Sequence, residues 1–286
     1  MAILLAVFFV FFSCIAGAQQ SPGFAQPYST PYVQPLYPQQ AQPARQPEDL
    51  LGILAKPWFM TTKFLVKQDA LSDISLSENL NFPREYTAYT LGIFAGRRPV
   101  RILYEFTPAI RSSGNNRLPG TLTIGGTIFG ATQTSATGQQ TQADPIFMEA
   151  QVTKHRIEFA AIYDVAPNTL VIPRIGTNFY PIKIAAHTAD NKLADSWGST
   201  VSVFTLGAAF EERYQFLVVT LAGDYLVAKN ASGFTLDGAL TLIPVSRQYP
   251  IFLSAGYLIE QMSVRFAGGS VESDARGPYL RAELRF

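Results

Sequence analysis

From Trp58 to the end of this chain, apolar residues recur at every second position. That is the spacing of strands with two unlike faces. In Val100–Ala109, Val100, Ile102, Tyr104 and Phe106 oppose Arg101, Glu105 and Thr107. In His155–Val165, Ile157, Phe159, Ala161 and Tyr163 oppose Arg156, Glu158 and Asp164. Gln215–Val227 and Phe234–Ile243 repeat the pattern, with Asp224 and Asp237 on the polar faces.

Three features separate this pattern from a soluble sandwich. The polar faces carry charges of both signs together with Gly, Ala and Thr, as a barrel lumen requires. Several segments run past ten residues, the length of a tilted β-span of about 9–11. Connections also alternate in length: Gly96–Pro99, Ala166–Asn168, Glu211–Arg213 and Arg247–Tyr249 are tight, whereas Gln68–Arg84, Ser112–Glu149, Ala186–Trp197 and Ala267–Arg276 are long and polar. The fold class that follows is all-β, an antiparallel up-and-down transmembrane β-barrel over residues 58–286.

Ten strands are expected: Phe59–Lys67, Tyr86–Ala95, Val100–Ile110, Ala150–Asp164, Thr169–Ile184, Thr200–Phe210, Tyr214–Ala228, Phe234–Val245, Ile251–Phe266 and Pro278–Phe286. An even number returns the C-terminus to the side of the N-terminus. Thr121–Ala131 alternates loosely and is placed in an external loop as part of a protruding hairpin; the pattern alone leaves eight or twelve strands open.

The first 57 residues differ in kind. Ala2–Phe12 is almost purely apolar, and Ala16-Gly17-Ala18 offers small residues where a signal peptidase cuts, so residues 1–18 are expected to be a signal peptide, although no Lys or Arg precedes the run. Cys14, the single cysteine, falls inside it, which leaves the mature chain without disulfides, thiol catalysis or Cys-ligated metal. Gln19–Gln46 is rich in Pro and Gln and cannot bury enough apolar surface to fold. A short helix is expected at 48–55: Pro47, Glu48 and Asp49 suit its start, Lys56 suits its end, and Leu50, Leu51, Ile53 and Leu54 would pack on the barrel rim. The domains are then signal 1–18, periplasmic linker 19–57 and barrel 58–286.

The last segment, Gly277–Phe286, sets Leu280, Ala282, Leu284 and Phe286 on one face and Arg281, Glu283 and Arg285 on the other. Here the chain resembles the bacterial outer-membrane β-barrel proteins as a broad class, in general form the small OmpA-like or OmpX-like barrels or the omptin proteases. The resemblance implies secretion to the outer membrane, contact with its lipid bilayer and lipopolysaccharide, and insertion by the barrel-assembly machinery, with Leu280, Ala282, Leu284 and Phe286 as the assembly signal.

Chemistry is sparse. Net charge is +1 with no basic block, which argues against nucleic acid. No cofactor or calcium-loop spacing appears, and no metal site is expected. His155 falls on the lipid-facing register. His187, with Asp190, Asp195 and Ser196 after it, is the one arrangement resembling a hydrolase site, since a His/Asp pair activates water and a Ser/His pair makes a nucleophile. The catalytic candidates are therefore His187, Asp190 and Ser196, set against a role without catalysis. The inward charges Arg101, Glu105, Arg156, Glu158, Asp164, Arg174, Asp224, Asp237, Glu260, Arg281, Glu283 and Arg285 form the second constellation. A barrel of eight to ten strands is filled by side chains, so a closed ion-pair network is favoured over a narrow channel. Loops 68–84 and 112–149, rich in Gly, Ser, Thr, Asn and Gln, suit contact with an external ligand or surface. The expected function is a structural, surface-interaction or envelope-integrity role; a narrow porin-like channel and a membrane-embedded surface hydrolase are the alternatives.

Overall fold

The computed structural model describes residues 49–68, 73–118, 121–124, 126–130, 133–134, 140–141, 144–243, 250–266 and 269–286. The signal peptide with Ala16 and Ala18, the Pro/Gln-rich stretch and the turn Arg247–Tyr249 lie outside the described residues.

Ten long strands build the barrel: β1 Asp49–Gln68, β2 Glu85–Arg97, β3 Val100–Asn116, β4 Ile146–Ala161, β5 Thr169–Thr188, β6 Ala194–Arg213, β7 Leu217–Val227, β8 Ala231–Leu242, β9 Ile251–Phe266 and β10 Gly269–Arg285. Each pairs antiparallel with its neighbours in sequence, and β1 pairs with β10, so the sheet closes and leaves no edge along the ring. Asp49 and Phe286 share one rim with the connection Arg98–Pro99, and this is called the terminal rim. The opposite, loop rim carries the connections 69–84, 117–145, 189–193, 228–230 and 267–268.

Three expectations are corrected. Residues 49–55 are not helix but the first turn-free stretch of β1, paired from Asp49↔Arg97 to Ala55↔Leu91 with β2. Helix-favouring end residues are outweighed by two ladders that the local sequence does not announce. Ala267–Arg276 is not a loop: β10 begins at Gly269, and only residues 267–268 connect it to β9. The hairpin Leu122–Ile124 with Thr127–Phe129 does not protrude; Leu122, Ile124 and Phe129 are buried under the loops.

Prolines mark the irregular places, because each lacks the N–H that a ladder needs. The β3–β4 register shifts between Thr107 and Ile110, around Pro108, so inward positions on β3 change from odd (Arg101, Glu105, Thr107) to even (Ile110, Ser112). Between β1 and β10 the phase is constant, but pairs are missing around Pro57 and Pro278; there the Trp58 indole N–H donates to the Gly277 carbonyl at 3.1 Å.

The two halves of the barrel wall are built in opposite senses. In the terminal half the outward face is apolar, with Ile53, Leu91, Ile102, Leu206, Leu236 and Leu253 exposed. Tyr163, Tyr214, Phe216 and Phe286 cluster near the terminal rim, as aromatic girdles do at a bilayer interface. In the loop half the outward face is polar: Thr61, Lys63, Arg111, Lys183, Thr200 and Arg265 are exposed. Strand length agrees with this division. β1, β5 and β6 have 20 residues each, twice the ~9–11 that cross a bilayer, while β7 has 11 and β8 has 12. The tall strands therefore stand out of the membrane on the loop side.

This division is testable with one pair of substitutions. Leu236→Arg, in the apolar belt, is expected to cost about 2–4 kcal/mol, and Thr200→Arg, on the protruding wall, close to nothing. Reversible unfolding of the barrel from lipid vesicles measures both; equal costs would mean that the membrane reaches the loop half.

Candidate functional site

The lumen follows the same division. In the terminal half it holds charges. Asp224 on β7 accepts from Arg174 of β5 at 2.7 Å, Arg156 of β4 at 3.0 Å and the Thr235 hydroxyl of β8 at 3.1 Å. Arg156 also bonds Glu158 beside it and lies 3.9 Å from Glu105, which is 3.6 Å from Lys56. Glu158 takes Arg101 and Arg174 at 3.9 Å each, and Glu283 holds Arg281 at 2.6 Å and Arg285 at 2.5 Å. Lys154 bonds Glu260, and the Tyr279 hydroxyl donates to Asp237 at 2.7 Å. The side chains of Glu158 and Asp224 are only 2% and 4% exposed. Carboxylates removed from water to that extent persist as ions only when surrounded by cations and donors.

Eleven of the twelve inward charges expected from sequence lie in this network or on the cavity above it. Asp164 does not: it sits in the short strand Tyr163–Ala166 beyond β4, half exposed, and pairs with Arg98 at 3.1 Å. The β4 ladder is interrupted at Ile162, and Asp164 falls in the short rim strand that pairs with the start of β5, beyond the enclosed lumen. Sequence reading missed Lys56 and Lys154. Both carry a parity signal, since Lys56 is two residues before inward Trp58 and Lys154 two before Arg156.

In the loop half the lumen is apolar. A cavity of about 610 Å³ lies above the ion pairs, walled by Phe64, Met148, Val152, Ile182, Trp197 and Met262 among others. Its roof comes from the loops: Leu76, Phe82, Leu122 and Ile124 face it and belong to one buried cluster with Val66, Ile74, Leu80, Phe129 and Ile146. The Thr127 hydroxyl donates to Asp195 at 2.8 Å, and Asn81 Nδ2 to the Asn115 carbonyl at 3.0 Å, which fastens the roof to β6 and β3. On the other side of the ion pairs, toward the terminal rim, lies a much smaller space of about 60 Å³ bordered by Arg101, Glu211, Glu283 and Arg285.

The hydrolase candidates are not drawn together. His187 stacks on Phe147 of β4, with ring centroids 5.2 Å apart and planes 12° apart. Asp190 accepts the Thr188 hydroxyl at 2.7 Å and the Lys192 backbone N–H at 3.1 Å, and pairs with the Lys192 ammonium at 2.8 Å. The Lys192 ammonium first, and the Thr188 hydroxyl next, hold this carboxyl well below the usual range. Ser196 stands opposite Ala185, and among the described residues no hydrogen bond joins it to His187. His155 lies on the outward face against Phe106, its Nδ1 2.9 Å from the Tyr104 hydroxyl. On the last strand Leu280 and Phe286 are exposed outward, and the Phe286 N–H donates to the Leu51 carbonyl at 2.8 Å.

Among solved structures, the outer membrane protease OmpT from Escherichia coli is similar over 84% of this chain and 98% of its own, with a TM-score of 0.51 and 8% identity. The fold is that of the bacterial outer-membrane β-barrels. Ail, the attachment invasion locus protein of Yersinia pestis, aligns over 82% of this chain and 99% of its own at a TM-score of 0.33 and 7% identity. No family model matches the chain, and no curated protein does. The likeness therefore concerns architecture, and residue roles must come from this chain's own lumen.

Proposed function

We propose that this chain is an outer-membrane barrel with a structural or surface-interaction role, whose lumen is closed to ions. The observation that carries this reading is the ion-pair floor: Arg156 and Arg174, on the neighbouring strands β4 and β5, converge on Glu158 of β4 and Asp224 of β7, between the large cavity and the small one. Permeating ions would have to separate pairs already matched in charge, at the narrow bore of ten strands.

In this reading the terminal rim faces the periplasm, export begins with the signal ending at Ala18, and Leu280, Ala282, Leu284 and Phe286 present the apolar edge taken by the assembly machinery. The protruding half and its roof, from loops 68–84 and 112–149, meet lipopolysaccharide and the exterior. A protease role like that named for OmpT gains no support from His187, which is stacked on Phe147.

Purified barrel in planar lipid bilayers is expected to give a flat current at moderate voltage. Steady, ion-selective steps would defeat the closed-floor reading and favour the narrow channel.

A further inference from the structure

We propose that the loop half of the barrel is a binding site for an uncharged, elongated hydrocarbon molecule bearing at most one polar group. The first ground is the reversal of the wall. In the loop half Lys63, Arg111, Lys183 and Thr200 face outward, and Phe64, Met148, Val152 and Ile182 face inward. A barrel with a polar exterior and an apolar interior is the construction of soluble barrels that enclose one small ligand.

The second ground is that this interior is not filled. About 610 Å³ stays open, within the 300–1,000 Å³ of small-molecule sites. Open apolar volume of this size forfeits packing contacts that an apolar occupant restores. The space is also long: β1 alone lines it from Lys56 to Val66, roughly 33 Å of strand at about 3.3 Å per residue.

The third ground fixes the ligand's charge. Lys56, Lys154, Arg156 and Arg174, the cations that border the cavity, are each paired with a carboxylate of the same floor. An anionic head group would find no unmatched cation there, and the lining carboxylate Asp237 already accepts the Tyr279 hydroxyl. One neutral polar group would find a partner: the Thr62 side chain borders the cavity, and among the described residues its buried hydroxyl has no hydrogen-bond partner. A buried hydroxyl without a partner leaves its desolvation uncompensated until a ligand supplies one.

The chain provides its own reporter, since its two tryptophans, Trp58 and Trp197, both line the cavity. Full-length barrel in lipid nanodiscs is titrated with 1,12-dibromododecane, whose bromines quench indole on contact. Saturable quenching of both tryptophans is expected, reversed by dodecanol, with dodecanoate at pH 9 about tenfold weaker as a competitor. The double substitution Ala150→Phe with Ala275→Phe narrows the cavity and is expected to remove the saturable part while the unheated gel mobility stays that of a folded barrel. Quenching that rises linearly with probe, or equal competition by dodecanoate, in the unsubstituted protein overturns the proposal whether or not the double variant folds. The inference uses the floor only as the bottom of the cavity. Bilayer current and tryptophan quenching are separate readouts, so either reading can fail without the other.

Discussion

Replacing Asp224 with alanine is expected to lower the unfolding free energy of the barrel by about 3–5 kcal/mol. The carboxylate is the meeting point of β4, β5, β7 and β8: it takes Arg156, Arg174 and the Thr235 hydroxyl at 2.7–3.1 Å. Its removal leaves Arg156 and Arg174 to share Glu158 with Arg101, with Glu105 3.9 Å from Arg156. The loss comes from stranded charge more than from lost attraction. Asp224→Leu combined with Arg174→Met should therefore recover much of the loss, because matched apolar replacement of a buried pair is often neutral. Urea unfolding from lipid vesicles, followed by tryptophan emission, reads both. If Asp224→Ala falls within about 1 kcal/mol of the parent, the floor is hydrated and its pairs resemble exposed ones.

Gly277→Val is expected to prevent closure of the barrel. A Cβ at this position would lie 1.9 Å from the Phe59 carbonyl oxygen and 2.9 Å from Met60 Cα, both backbone atoms of β1. Ordinary overpacking costs about 1–3 kcal/mol because side chains give way; here the strand itself must move. The β1–β10 ladder is already interrupted beside Pro57 and Pro278, so at this point few ladder bonds hold the two strands against the displacement. The compact, unheated gel form should be lost. Gly198→Val supplies the control, since a Cβ on Gly198 has no neighbour closer than 3.7 Å. Equal behaviour of the two variants would show that β1 and β10 do not approach so closely.

How far the sequence discloses this molecule depends on the range of the interactions involved. Alternation within a strand is local, so the ten strands and the inward Arg156, Arg174, Asp224 and Glu283 are legible from parity alone. The first residues of β1 are not. Pro47, Glu48 and Asp49 favour a helix start locally, while the partners that make 49–55 a strand stand at 91–97 and 282–285. The inward series Gly52, Leu54, Lys56, Trp58, Met60 keeps one parity across Pro57 and is the signal that was present.

The apolar cavity was hidden for a different reason. Taking every apolar face as lipid-facing is correct for Leu221 and Leu236 and reversed for Ile182 and Ile184. Lys183 between those two isoleucines, exposed on the outer wall, is the clue that polarity has changed sides. The roof is harder still, because Leu122, Ile124 and Phe129 belong to strands of three residues, too short to show a period.

The change of sides along the wall has a mechanical consequence. A barrel greasy along its whole height could ride up or down in the bilayer, or tilt, at little cost. Here a shift upward carries the upper belt residues Phe204 and Val227 into water, and a shift downward carries Lys63 and Lys183 toward hydrocarbon. The molecule thus has a waterline, as a hull does, and its draught is set by the chain itself.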